Sequence, residues 1–229
     1  MVLVVVNIQN KEDMKCEERA MQKQHVSVAV YQKVKRVLDI VLSLVGLAVC
    51  AVPMALIALL IRLESPGPAF YVHNRIGKNG TDLPLLKFRS MYNNAEQMIQ
   101  NFTPEQKAEW EANFKLDHDP RITRMGAFLR RSSMDELPQL VNVLKGELSI
   151  VGPRPVVQEE LERYGKNKEK FLSVMPGLTG YWQAYARSSC SYEQRMEMEL
   201  FYVDNANFWF DIKIMFATVG AVLRGTGAK

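Results

Sequence analysis

The sequence predicts an α+β protein, mainly helical, with one N-terminal membrane helix, a small β-hairpin and several amphipathic helices. Three observations predict it. Val37–Ile61 is an apolar run of 25 residues whose only charge is Asp39. Two short β-prone runs, Ala69–Val72 and Leu85–Phe88, flank Asn79-Gly80, a strong hairpin signal. Beyond Asn94 the chain reads as a series of helical stretches separated by caps and breakers.

Composition bounds the rest. The 229 residues allow one domain, or one domain with an appendage, and 48% hydrophobic content can supply a core. A net charge of +4 is too mild for a dedicated nucleic-acid binder and suits an anionic membrane surface or phosphate substrates. Cys16, Cys50 and Cys190 are odd in number and scattered, which predicts no disulfide framework or zinc site and fits a reducing cytosol. His25, His73 and His118 form no metal-ligand pair at helical spacing and read as surface or packing residues.

Residues 1–30 read as a tail. Val2–Ile8 is apolar and β-branched, Asn10–Gln24 is polar, and a short strand or a disordered segment is expected. With no basic region before the apolar run and no small-residue cleavage site after it, no signal peptide is expected. Residues 31–62 form the membrane segment. Its 25 apolar residues would reach about 37 Å as a straight helix, against about 30 Å of hydrocarbon. Lys33, Lys35 and Arg36 precede it and Arg62 follows, so the positive-inside rule keeps both ends on the cytoplasmic side. Pro53 would break or kink it. Two readings stay open, a helix–break–helix that returns through the same face and a single kinked span. Asp39 is expected at the headgroup level.

Residues 63–229 are the soluble region. Glu64–Pro68 is a breaker cluster, and the hairpin follows. Alternation along its second strand puts Lys87 and Arg89 on one face, either a phosphate site or a solvated strand face. Asn94–Lys115 reads as helix interrupted near Thr103-Pro104, a cap and first-residue pair. A loop and a short basic helix follow to Arg131, then an apolar helix, Leu137–Leu144, stopped by Gly146. Gln158–Met175 reads as one helix with a charged face. Pro176–Trp182 is a turn into an aromatic stretch, with Arg187 shortly after. Glu193–Asn205 is amphipathic. Phe208–Leu223, aromatic and flanked by cations, fits a helix lying in a membrane interface, or else a core helix.

The most informative stretch is Arg130–Leu140 with the Gly152–Pro155 turn. Ser133 and Glu136 fit a capping box, which puts Asp135 near a helix N-terminus, where a carboxylate or a phosphate is favoured. Arg154 stands nineteen residues after Asp135, between two prolines that fix its backbone. An ordered carboxylate among fixed cations points to an oxygen nucleophile acting on a phosphate. The plain alternative is an ordinary helix cap and a loop arginine.

Taken in order, Lys35–Asp39, Lys87–Met91, Asp119–Thr123, Asp135–Leu140, Val151–Pro155 and Pro176–Gly180 resemble the bacterial polyprenyl-phosphate sugar-1-phosphate transferases, the monotopic phosphoglycosyl transferases. The resemblance runs from about Tyr31 to Ala228, and the chain looks like the family's small catalytic unit. It implies a re-entrant membrane helix broken at Pro53 and a cytosolic active site at the inner face of the bacterial cell membrane. It implies that Asp135 attacks a UDP-sugar, that UMP leaves, and that undecaprenyl phosphate takes the sugar phosphate from an aspartyl-phosphosugar intermediate. That transfer is the first membrane step in making an exopolysaccharide, capsule, O-antigen or glycoconjugate. Glu136 would position the metal or manage protons, and Mg²⁺ would be held by Asp135 and the substrate phosphates. Lys87, Arg89, Arg130, Arg154 and Arg187 would bind phosphate or substrate. Partners would be the membrane and both substrates, with a homodimer or downstream glycosyltransferases beside them. One departure is Val52 before Pro53, where family members often carry serine.

The competing reading is a non-catalytic membrane scaffold that uses Arg121–Arg131 and the C-terminal helix and treats Asp135-Glu136 as capping. No motif identifies the sugar.

Overall fold

The computed structural model describes residues 2–113, 116, 118–186 and 190–223; side chains are described from Val28 onward, except at 111–113 and 222–223. The chain divides into two units, 1–38 and 39–229. Helix α1 is Val2–Glu64, so the backbone is helical where a short strand or tail was expected. Its Val28–Glu64 portion is long and apolar enough to cross a membrane.

The break expected at Pro53 is absent, because α1 continues through it. A proline removes one helical hydrogen bond and crowds the preceding turn, which tertiary packing can offset. Here packing on both sides of Pro53 does so. Asp39, Ser43, Ile57 and Ile61 are buried, and Met54 and Ala58 pack beside them. These positions recur at spacings of three and four, one stripe of a helix. Gly46 lies on that stripe, where an added Cβ would sit 3.1 Å from Leu140. The remaining faces are exposed and apolar, with Val49 at 72% and Val52 at 69%.

Strands β1 (Phe70–Ile76) and β2 (Asp82–Phe88) form the expected antiparallel hairpin, with Tyr71 opposite Lys87 and His73 opposite Leu85. Asn79 and Gly80 both have positive φ, the conformation that Asn-Gly supplies at least steric cost. Helix α2 (Ala95–Met98) and α3 (Pro104–Asn113) follow, and the side chains of Thr103 and Gln106 bond each other's backbone N–H as a capping box. Helix α4 (Arg124–Ser132) is capped by Thr123, and α5 (Gln139–Lys145) ends at Gly146 with φ 83°. Gln158–Met175 is not one helix. It divides into α6 (Gln158–Glu162) and α7 (Lys168–Leu172), with Gly165 at positive φ between them.

A parallel pair not expected from the sequence joins β3 (Ser149–Val151) to β4 (Gly177–Thr179). It explains Pro176–Gly180: a Cβ on Gly177 or Gly180 would collide with the backbone of Gly152. Among the described residues three helices follow: α8 (Tyr181–Tyr185), α9 (Tyr192–Asn205) and α10 (Phe208–Leu223). Helix α10 buries Ile214 and Asp211 yet exposes Trp209 at 71% and Phe216 at 75%, so it has both a core face and an outer apolar face.

The core is a set of clusters that tie these elements together. Ile57, Ile61, Phe88 and Leu129 join α1, β2 and α4. Leu83, Leu85, Val143 and Leu148 join β2 to α5 and the approach to β3. Val151, Tyr202 and Ile214 join β3 to α9 and α10.

Candidate active site

Asp135 lies in a single 3-10 turn, Met134–Glu136, between α4 and α5. Ser133, which opens that turn, has φ 57° and ψ 18°. For a residue with a Cβ this left-handed conformation is strained by about 1–2 kcal/mol, and it ends α4 and redirects the chain so that Asp135 and Glu136 face the hairpin. The expected capping box does not form, because the side chain of Ser133 caps nothing and Glu136 is bonded elsewhere. The capping explanation of these carboxylates therefore fails.

Asn142 on α5 fixes the turn against the hairpin. Its side chain accepts from Leu86 N at 3.0 Å and donates to Pro84 O at 2.9 Å. That docking brings Lys87 Nζ to 2.8 Å from Glu136 Oε1. Arg154 reaches the same oxygen at 3.2 Å from the turn after β3. Burial would raise the Glu136 carboxyl, but Arg154 and Lys87 outweigh it and hold it down to about 2. Glu136 is thus a fixed anion clamped by two cations.

Among the described residues the Asp135 carboxylate accepts no hydrogen bond. Burial pushes its pKa up, and Glu136 pushes the same way, against Lys87, Arg130 and Arg154. Arg130 is set by its Nε donating to Ser90 Oγ at 3.0 Å. A desolvated carboxylate that faces three cations and is bonded by none of them can attack an electrophile whose negative charge those cations accept.

Lys87, Arg130 and Arg154 therefore converge on Asp135 and Glu136 as the sequence reading expected. Arg89 does not. Its guanidinium is buried and donates to Pro66 O at 2.6 Å and Ser65 O at 2.8 Å, just past α1, and to Ile61 O at 3.4 Å in its last turn. Those carbonyls and the negative end of the helix dipole draw it away from the site. Arg187 lies outside the described residues. Arg121 pairs with Asp119 through two hydrogen bonds, at 2.8 and 2.6 Å, and stacks on Trp110. That makes it a structural residue of this loop.

Three groups were missed. His73 and Arg75 share the hairpin face of Lys87, a period-two signal that was available in the sequence. Burial first, then the cations Arg75, Lys87 and Arg154, pull His73 down to about 4 against Glu160, so it is a neutral donor and acceptor beside the site. Asp39 is buried rather than at a headgroup, and accepts from Ser149 Oγ at 3.1 Å and Ile150 N at 2.9 Å. No sequence pattern links residues so far apart.

Among the described residues no three His, Cys, Asp or Glu side chains converge as a metal cage. A single carboxylate with substrate phosphates is a common Mg²⁺ arrangement, and Asp135 is the residue that would supply that carboxylate.

The bacterial sugar transferase family model matches residues 30–225. The chain is 44% identical over 197 residues to the undecaprenyl-phosphate galactose phosphotransferase of Salmonella typhimurium, covering 85% of this chain and 41% of that protein. It is 41% identical to the exopolysaccharide production protein ExoY of Rhizobium meliloti, covering 85% of this chain and 87% of that one. Against the UDP-glucose:undecaprenyl-phosphate glucose-1-phosphate transferase of Escherichia coli it is 38% identical, over 83% of this chain and 40% of that protein. The chain thus spans about four-tenths of the length of several of the relatives it matches.

Proposed function

The chain belongs to the bacterial sugar transferase family, and on that premise we propose that it transfers a sugar-1-phosphate from a UDP-sugar to undecaprenyl phosphate in two steps. In the first, an Asp135 carboxylate oxygen bonds to the β-phosphorus. The bond from that phosphorus to the bridging oxygen breaks, and UMP leaves. In the second, a phosphate oxygen of the lipid bonds to the same phosphorus, the acyl-phosphate bond breaks, and Asp135 is regenerated. The product is undecaprenyl-diphosphate-sugar. A carboxylate nucleophile divides a difficult transfer into two easier ones.

The observation that carries this reading is the contrast between the two adjacent carboxylates. Glu136 is held by Lys87 and Arg154, while Asp135 stands unbonded among those cations and Arg130. Lys87, Arg130 and Arg154 stabilise charge that grows on the phosphoryl oxygens in the transition state. Glu136, ionised well below neutral pH, suits the orientation of Lys87 and Arg154 better than proton transfer. Mg²⁺ would be held by Asp135 and the donor phosphates, where it would offset their charge.

The site belongs at the cytoplasmic face of the membrane, and the seating of α1 supports this. Asp39 ties the start of the apolar segment to β3, and Arg89 ties its end to β2. Glu64, also at the end, accepts from the backbone N–H groups of Arg124 and Met125 at the start of α4. A continuous helix held at both ends by one soluble domain stays on that domain's side of the membrane. The exposed apolar faces of α1 and α10 then rest in lipid.

The test is UMP release. Purified protein in nanodiscs is given Mg²⁺, undecaprenyl phosphate and single UDP-sugars. UMP from one donor, lost in Asp135→Asn, is the expected result. Release of UDP instead would overturn the phosphosugar transfer.

A further inference from the structure

Three consecutive residues after β3 are each tied down. The Tyr202 hydroxyl gives its one proton to Asp211 Oδ1 at 2.7 Å and lies 3.3 Å from Val151 O, the last residue of β3. Gly152 N donates to Thr179 O, and Pro153 O accepts from Gly177 N, each at 2.9 Å. Arg154 N donates to both carboxylate oxygens of Glu199, at 3.0 and 3.2 Å. Prolines have no N–H, so Arg154 carries the only backbone donor in Pro153-Arg154-Pro155. Glu199 takes it. Glu199 and Tyr202 are three residues apart on α9 and share one helix face, so the face that holds Arg154 N also packs against Val151 of β3.

Glu199 is 1% exposed. An N–H alone does not require a carboxylate there, since a neutral acceptor would serve. The remaining surroundings are charged. Arg195 Nε on the same helix is 4.0 Å away. The Arg154 guanidinium, Glu160 on α6, and the Tyr164 and Tyr192 hydroxyls also act on it or feel it. The turn then presents Arg154 to Glu136, next to Asp135.

We propose that Glu199 is a positioning residue for the transfer, holding Arg154 by its backbone N–H and, through Arg154, setting the geometry of Glu136 beside Asp135. This rests on the transferase reading above, in which Arg154 serves the reaction. Burial pushes the Glu199 carboxyl up to about 7, against Arg195 and the Arg154 N–H. Its neutral form is therefore accessible, and a glutamine, which keeps an acceptor oxygen, should substitute for it.

The experiment is a double-mutant cycle with a structural readout. Turnover, donor KM and Tm are measured for the full chain and for Glu199→Ala, Glu199→Gln, Arg154→Ala and the Arg154→Ala/Glu199→Ala pair. Displacing a site group by about an ångström costs about a hundredfold. Glu199→Ala is accordingly expected to lower turnover at least tenfold, and Glu199→Gln to recover most of it. In the Arg154→Ala background, Glu199→Ala should add less than twofold, even though it lowers Tm equally in both backgrounds. An equal loss of turnover in both backgrounds would overturn the proposal, as would a glutamine variant no better than alanine. Amide exchange in the peptide 150–157 is read without substrate. It should quicken in Glu199→Ala and stay slow in Glu199→Gln, and unchanged exchange in Glu199→Ala would also overturn the proposal. A wild-type chain that transfers nothing sinks the transferase reading, and the exchange data still decide whether Glu199 holds the turn.

Discussion

Arg89→Ala separates two accounts of one arginine. The sequence pattern places Arg89 with Lys87 as a phosphate-binding cation, whereas the structure turns it onto the end of α1. Two of its hydrogen bonds are short, 2.6 and 2.8 Å, and the third, at 3.4 Å to Ile61 O, is discounted. Leaving a buried carbonyl without a donor costs about 1–3 kcal/mol. A cation at a helix C-terminus adds about 0.3–1 kcal/mol. Some carbonyls would regain water, so the loss is about 3–5 kcal/mol. At about 2–4 °C per kcal/mol for a chain of this size, Tm should fall by roughly 6–20 °C. The assay is thermal unfolding in nanodiscs followed by tryptophan fluorescence, with donor KM measured well below the transition. Arg89→Lys should fall between wild type and alanine, since a single ammonium cannot reach both carbonyls at fork geometry. Lys87→Ala should do the reverse, with a small change in Tm and a large loss of turnover. If Arg89→Ala kept its Tm within about 2 °C and raised donor KM as Lys87→Ala does, the capping account would be wrong.

Lys87→Met should also make the chain less acid-sensitive. The folded Glu136 carboxyl lies near 2, below its ordinary 4.5, so its stabilisation is present above 4.5 and lost as pH falls toward 2. Without Lys87 the folded carboxyl moves back toward 4.5 and less stabilisation remains to be lost, so Tm measured from pH 5 down to pH 3 should drop less steeply than in wild type. Asp39→Leu should strand the Ile150 N–H and destabilise the chain by about 1–3 kcal/mol, while a headgroup-level aspartate would tolerate the change without a shift in Tm. Single cysteines replacing Lys33 and Leu63, in a background without Cys16, Cys50 and Cys190, should both react with a membrane-impermeant maleimide in inside-out vesicles only; labelling of the two from opposite sides would refute the same-face reading. Gly177→Ala should abolish the β3–β4 pair, since its Cβ would collide with Gly152, and yield a chain without a cooperative thermal transition.

Local chemistry was legible wherever a few neighbouring residues suffice to set it. The apolar run, the Asn79-Gly80 turn, the Thr103 cap and the Gly146 stop are each decided within one turn of chain, and the structure has them. The family resemblance named Lys87, Arg130 and Arg154 with Asp135 and Glu136, and the structure brings these five together. Arg89 went wrong because alternation along a strand ends where the strand ends: β2 stops at Phe88, and beyond it the nearest unsatisfied carbonyls decide where a guanidinium goes.

By itself the sequence determined the family of the protein, its long apolar helix and the residue types of its candidate site, because composition, periodicity and short motifs are properties of the chain. Only the tertiary structure decided which partner each charge takes. Glu136 could have capped its own helix and instead bridges two cations brought in from β2 and the β3 turn. Asp39 sits against β3, Glu64 on α4, and Glu199 on the backbone of Arg154. A charge removed from water must find its counterpart in space, and those counterparts lie between 45 and 111 residues away along the chain for Asp39, Glu64 and Glu199.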